Sequence, residues 1–319
     1  MGRHLNIGMI QSCGGSMDFE SCLPRIRRDT DELMSAMNIP ELIVGAEMSI
    51  GMYWQTDKTK IVGDPIPGKV TERLSAIAKE YGIYFMPGSM AEVVKTDEKD
   101  VFYNSIPIFG PDGEIIDVYR KMCPYYPNEG KFTKGDRYVT FDIKEKNIKI
   151  GVLNCHDWCF PEISRNLALM GAEILIRPAA DPEGLYQACK SIAPTRAFEN
   201  QAYFISVNMA GEFLGSYTFG HSVVAAPDGN IIYEAGSSPV SLTMTFDADR
   251  VSEARQFGTN YTEQLLRQLK VFNPPMPFAG KIGEAPIYSA LPDPDMSPKS
   301  RKAHLRENGV MSIGKRSTT

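Results

Sequence analysis

The run Leu153-Asn154-Cys155-His156-Asp157-Trp158-Cys159-Phe160-Pro161-Glu162 holds the residue types that point most directly to chemistry. An apolar stretch ending at Leu153 predicts a buried strand, and Ile163, Leu167 and Met170 recur at helical spacing after Pro161. Cys155 therefore falls in a strand-to-helix turn. Such a turn lifts a side chain out of the sheet and aims the free N–H groups of the next turn at whatever that side chain attacks. The position suits a thiolate nucleophile and the oxyanion it creates.

Two other groups follow apolar runs in the same way. Glu47 comes after Leu42-Ile43-Val44-Gly45-Ala46, among Met48, Ile50, Met52, Tyr53 and Trp54. A carboxylate there is either a solvated loop charge or a group at the rim of an α/β sheet, where burial would raise its pKa toward that of a general base. Lys121 follows a strand over residues 114–120 with apolar and aromatic neighbours, a setting for a buried cation paired with a carboxylate. An ammonium and turn N–H groups near Cys155 favour the thiolate. The carboxylate can take the thiol proton and pass it to a leaving ammonia. The lysine and the N–H after Cys155 can hold the oxyanion, worth roughly 3 kcal/mol per donor.

A cysteine–histidine pair competes, with His156 or His221 as base. His156 adjoins the cysteine and would normally point away from it, and His221 reads as a structural, hydrogen-bonded histidine. Cys155 and Cys159 beside His156 and Asp157 suggest a metal, but no second Cys or His pair completes a four-ligand set, so none is expected.

Of 319 residues, 34 are basic and 39 acidic, a formal charge of -5 without the basic field of a nucleic-acid binder. The amino terminus is too short in apolar residues for a secretory segment, and no apolar run is long enough to span a membrane. A cytoplasmic protein with its six cysteines as thiols is expected.

The elements that must position these groups alternate. A strand at 4–12 precedes a helix with apolar positions from Phe19 to Met37, its methionines read as core filler. After the Glu47 strand come a helix from Val70 to Tyr81, a strand from Ile83 to Met90, and a hairpin over 102–120 that turns at Pro111-Asp112-Gly113. Beyond the Cys155 turn lie a strand at 174–178, a helix at 183–200, a strand at 202–208 and a late strand at 240–247. Helices at 249–256 and 262–269 complete this part. Pro194 is expected to kink the helix at 183–200 or delay its start. Pro227-Asp228-Gly229 with Ile231-Ile232 repeats the first hairpin turn, which suggests two similar halves. Two mixed sheets bury their inner faces by stacking, with helices outside: an α/β fold in the form of a four-layer αββα sandwich. Residues 1–270 form that domain. Residues 271–319, broken by seven prolines, read as an extended arm at an oligomer interface, its end disordered.

The chain resembles the nitrilase, or carbon–nitrogen hydrolase, superfamily over about residues 4 to 270. The resemblance rests on Glu47 after its strand, and on Tyr119-Arg120-Lys121 followed by Glu129 and Phe132-Thr133-Lys134-Gly135-Asp136. It continues through Cys155-His156-Asp157 with Phe160-Pro161-Glu162, Arg196-Ala197-Phe198-Glu199-Asn200, Asn208 and Gly220-His221-Ser222. It implies the αββα sandwich and a triad of Glu47 as general base, Lys121 for the oxyanion and Cys155 as nucleophile. It also implies that Glu129 positions substrate or water, that the chain forms a homodimer or higher homo-oligomer, and that no metal or organic cofactor is needed. Cys155-His156-Asp157, Ile176-Arg177 and Tyr217-Thr218-Phe219-Gly220-His221-Ser222 look most similar to the aliphatic amidase and formamidase branch. Trp158 and Phe160 are instead similar to N-carbamoyl hydrolases. Tyr53, His156, Trp158 and Arg177 are the expected substrate-binding residues. Gly45-Ala46, where the family usually has Phe-Pro, and Pro194 depart from its pattern. The function expected is an amidase that cuts a small linear amide to acid and ammonia. The alternatives are an N-carbamoyl amidohydrolase or a nitrilase with the same triad.

Overall fold

A computed structural model describes residues 2–14, 18–51, 53–54, 61–126, 129–213, 216–289 and 291. The first half runs β1 (His4–Gln11), α1 (Phe19–Met34), β2 (Leu42–Gly45), β3 (Tyr53–Trp54), β4 (Ile61–Val62), α2 (Lys69–Tyr81), β5 (Tyr84–Met86), β6 (Met90–Lys95), β7 (Asp100–Phe109) and β8 (Ile115–Arg120). The second runs β9 (Val139–Ile143), β10 (Ile148–Val152), α3 (Pro161–Leu169), β11 (Ile174–Ala179), α4 (Tyr186–Asn200), β12 (Tyr203–Asn208), β13 (Ala210–Phe213) and β14 (Ser216–Phe219). It ends with β15 (Val223–Ala225), β16 (Ile231–Glu234), β17 (Val240–Asp247), α5 (Asp249–Phe257) and α6 (Leu265–Phe272).

One sheet has the order β17-β1-β2-β5-β7-β6, with β8 on β7, and the other β16-β15-β12-β11-β10-β9. Both are mixed: β1, β2 and β5 are parallel neighbours in one, and β10, β11 and β12 in the other. Side chains on a strand alternate between faces, and here both faces are covered, so the central strands are apolar throughout. Leu42 and Val44 of β2 and Ile174 and Ile176 of β11 meet in the seam between the sheets. Ile43 turns outward to α1 and α2, and Leu175 to α3 and α4. The result is helix, sheet, sheet, helix, as expected.

The two Pro-Asp-Gly turns are built alike. Gly113 and Gly229 have φ of +86° and +81°, each Asp side chain accepts the N–H two residues on, and each hairpin carries a register shift.

The structure departs from the expected elements in definite places. The strand at Ile83–Met90 is two strands, because the chain turns at Pro87-Gly88, where Gly88 has φ +112°. A Cβ on Gly88 would stand 2.0 Å from the Ala46 carbonyl oxygen. Pro194 lies inside α4, which begins at Tyr186 after a 3-10 turn over Glu183–Leu185 instead of at residue 183. The helix read to Met37 ends at Met34, and Met37 is fully exposed rather than in the core. The last helix runs past the expected domain boundary to Phe272. Short pairings β3–β4 and β13–β14, and the edge strand β9, were not anticipated. From residue 273 to 289 the chain holds two short 3-10 turns and exposes Met276, Ile282 and Ile287; apart from Leu291, the rest of the expected arm lies outside the described residues. Among the described residues no helix is long and apolar enough to cross a membrane.

Candidate active site

Glu47, Lys121, Glu129 and Cys155 converge on one cavity of about 150 Å³ at the carboxyl ends of β2, β8 and β10. Three local constructions bring them there. After β2, Ser49 donates its hydroxyl to the carbonyls of Ala46 and Pro87, and the Met48 N–H donates to the Ser89 hydroxyl. The close approach that requires glycine at 88 thus fixes the loop carrying Glu47. The Glu47 N–H reaches the other sheet, donating to the Ala179 carbonyl at 3.3 Å.

Lys121 is held by its main chain, its N–H donating to the Asn104 carbonyl at 2.9 Å and its own carbonyl accepting from Gly135 at 2.8 Å. Its buried ammonium donates to Glu47 Oε1 at 2.8 Å and to Glu129 Oε2. Asn104, on the neighbouring strand, ties the same two carboxylates together, giving one N–H to Glu47 Oε1 at 2.8 Å and one to Glu129 Oε1 at 2.7 Å. Its carbonyl accepts from Asn154 at 3.0 Å. The Tyr125 N–H completes the Glu129 carboxylate at 2.6 Å. Burial alone would lower the Lys121 pKa; the carboxylates of Glu129 and Glu47 outweigh it and hold the ammonium well above its ordinary range.

Cys155 opens a 3-10 turn to Cys159, and its φ of +47° is unusual for a residue with a Cβ. The buried Asp157 closes this turn, accepting from the Tyr119 hydroxyl at 2.6 Å and from the N–H groups of Asn154 and Cys123 at 2.8 Å each. Burial pushes its carboxyl up to about 6, against the pull of Lys121 and of its own donors. Between about pH 4 and 6 the folded chain therefore holds a proton here that the unfolded chain has lost. Asp157 should cost about 3 kcal/mol of stability as pH rises across that window. Urea unfolding is expected to show the advantage of wild type over Asp157→Asn shrinking by that amount from pH 4 to 6; a constant difference would refute it.

Burial pushes the pKa of the Cys155 thiol well up, and the Glu47 carboxylate adds to this. Lys121 pulls toward the thiolate, as expected, while burial and Glu47 pull the other way and outweigh it. Among the described residues the thiol donates to Asp181 Oδ1 at 3.5 Å, not to a histidine.

The expected substrate-binding residues divide. His156 and Trp158 line the cavity. His156 sets Nδ1 against the Cys123 carbonyl at 3.3 Å and packs edge-on against Tyr125 and Phe160; burial and Lys121 hold its pKa below the usual value. Arg177 is fully buried behind the wall, its guanidinium 3.4 Å from the Trp158 ring centroid and bound to protein groups throughout, so it does not face substrate. Tyr53 lies on β3, and its side chain is outside the described residues. His221 is elsewhere, with Nδ1 3.0 Å from Glu234 and 3.2 Å from the Tyr186 hydroxyl. Asn104 and Asp181 were missed. The signal for each was a polar residue in or just beyond an apolar strand. No cluster of potential metal ligands occurs among the described residues.

The sequence matches the carbon–nitrogen hydrolase family model over residues 6–256. It is 30% identical over 204 residues to omega-amidase NIT2 of Xenopus tropicalis, covering 60% of this chain and 72% of that one. The structure superposes on Nit3 of Saccharomyces cerevisiae, a nitrilase-superfamily member, with TM-score 0.71 and 27% identity, over 79% of this chain and 93% of the other. A likeness in fold extends to an amidase from Nesterenkonia sp. AN1, crystallised with an acetamide moiety on its active-site cysteine: TM-score 0.66, 21% identity, 80% and 95% covered. The chain belongs to the carbon–nitrogen hydrolase family and is a hydrolase of carbon–nitrogen bonds outside peptides.

Proposed function

We propose that this chain hydrolyses a small linear amide to a carboxylic acid and ammonia through a thioester on Cys155. The carrying observation is the buried Glu47–Lys121–Glu129 cluster sharing one cavity with the Cys155 thiol. Glu47 takes the thiol proton as sulfur attacks the amide carbon. Lys121, with two of its three N–H groups on carboxylates, turns the third to the oxyanion, beside the His156 N–H. Ammonia leaves with the proton from Glu47. Water, deprotonated by Glu47 and oriented by Glu129, then cleaves the thioester.

The cavity supports a small substrate, since about 150 Å³ accommodates a molecule of benzene size. Met48, Phe132, Leu185 and Phe213 give it apolar walls suited to a short hydrocarbon chain. The exposed apolar residues of 273–291 support reading the carboxyl-terminal segment as an arm that covers a second copy of the chain.

A panel of short amides, ureido compounds and nitriles, followed by ammonia release and by mass spectrometry of Cys155, tests this. The expected result is turnover of an amide and a Cys155 adduct of its acyl mass. Carbon dioxide released with the ammonia would instead establish a carbamoyl substrate, and a nitrile taken directly to acid would establish a nitrilase.

A further inference from the structure

We propose that Arg177 and Asp181 form a bracket that positions the Cys155 nucleophile and holds its proton in place until Glu47 takes it. The inference rests on Cys155 being the nucleophile. Arg177 holds that residue at its carbonyl and Asp181 at its thiol. The Arg177 Nε donates to the Cys155 carbonyl at 2.7 Å, and the two terminal guanidinium nitrogens clasp Asp181 at 2.8 and 2.7 Å, one of them also donating to Ser206 at 2.7 Å. Asp181 is fixed from its own backbone too, its N–H donating to Asn208 Oδ1 at 2.8 Å. The carboxylate oxygen that meets the thiol at 3.5 Å is therefore a rigid point.

A carboxylate offers about four lone-pair sites, and the guanidinium fork takes one on each oxygen. The second site on Oδ1 faces Cys155 Sγ, and the second on Oδ2 faces Cys189 Sγ at 3.8 Å. With the thiol protonated, every group is matched. A thiolate would instead confront the carboxylate at the same separation, a repulsion several times thermal energy even at an effective dielectric of about 20. The bracket also accounts for the left-handed backbone at Cys155, because its carbonyl is held where the Arg177 Nε–H can reach it.

The charged groups facing Cys155 are Glu47 beyond β2, Lys121 beyond β8, Arg177 on β11 and Asp181 beyond it. His156, Glu129 and Tyr125 complete the titratable set around the cavity, with the Cys159 thiol. Asp181 receives the hydrogen bond and Glu47 the proton, so sulfur becomes anionic only as its bond to carbon forms.

The test is the pH dependence of Cys155 alkylation by iodoacetamide, in which an S–C bond forms and iodide leaves, followed by mass spectrometry. In Asp181→Asn the midpoint is expected to fall by at least about one pH unit. An unmoved midpoint with slower alkylation at every pH would reduce Asp181 to a support of local shape and overturn the proposal, as would a midpoint that rises. Should that variant fail to fold, the infrared S–H stretch of wild type, assigned by its loss in Cys155→Ala, decides. A band shifted to lower frequency than a free thiol is expected, and an unshifted or absent band overturns the bracket. Neither readout needs a substrate, so failure of the amide panel would leave both interpretable.

Discussion

Cys155→Ala is expected to release ammonia from the best amide of the panel on the order of 10⁴- to 10⁶-fold more slowly than wild type, with the unfolding midpoint nearly unchanged. Losing a nucleophile removes the covalent route altogether, while Lys121, Glu47 and Glu129 keep their mutual hydrogen bonds. Alanine occupies less space and meets no worse backbone strain than cysteine at that φ. Cys155→Ser is expected to be nearly as poor, because a hydroxyl is a far weaker acid than a thiol and Glu47 has correspondingly more to do. Near-wild-type ammonia release by either variant would remove Cys155 from the chemistry.

Lys121→Met is expected to damage stability and turnover together. It leaves the Glu47 and Glu129 carboxylates facing one another in the interior with only the Asn104 amide between them. Breaking a buried ion pair in this way costs about 3–5 kcal/mol, which urea unfolding measures directly. Loss of an oxyanion donor adds a fall of about 10² to 10³ in kcat for whatever folded enzyme remains. Unchanged stability would mean that the cluster does not depend on its cation. Unchanged kcat would place the oxyanion elsewhere.

The three groups at the ends of strands could be read from the sequence because each breaks an apolar run in a way that burial does not explain. Glu47 and Lys121 stand among apolar neighbours, and Cys155 sits between a strand period and a helix period. Asn104 was hidden by the opposite circumstance. It lies inside the run Phe102–Phe109, where one polar residue scarcely alters an apolar pattern, and its importance comes from β8 returning beside it. Asp181 follows β11 as Glu47 follows β2, so the same rule would have found it. Arg177 was misplaced because a motif shows proximity to the site without showing which side of the wall a side chain takes. The packing of sheet on sheet was legible from paired hairpins and two-faced apolar strands. The break at Pro87-Gly88 was not, since it depends on a carbonyl from another strand.

The left-handed backbone at residue 155 also limits what could ever succeed the cysteine. A side chain branched at Cβ collides with its own carbonyl in that region of dihedral space, whereas an unbranched one is merely strained. Serine could be installed by descent or by design; threonine could not without rebuilding the turn. The turn therefore accommodates a thiol or a primary alcohol at residue 155 and disfavours a secondary alcohol.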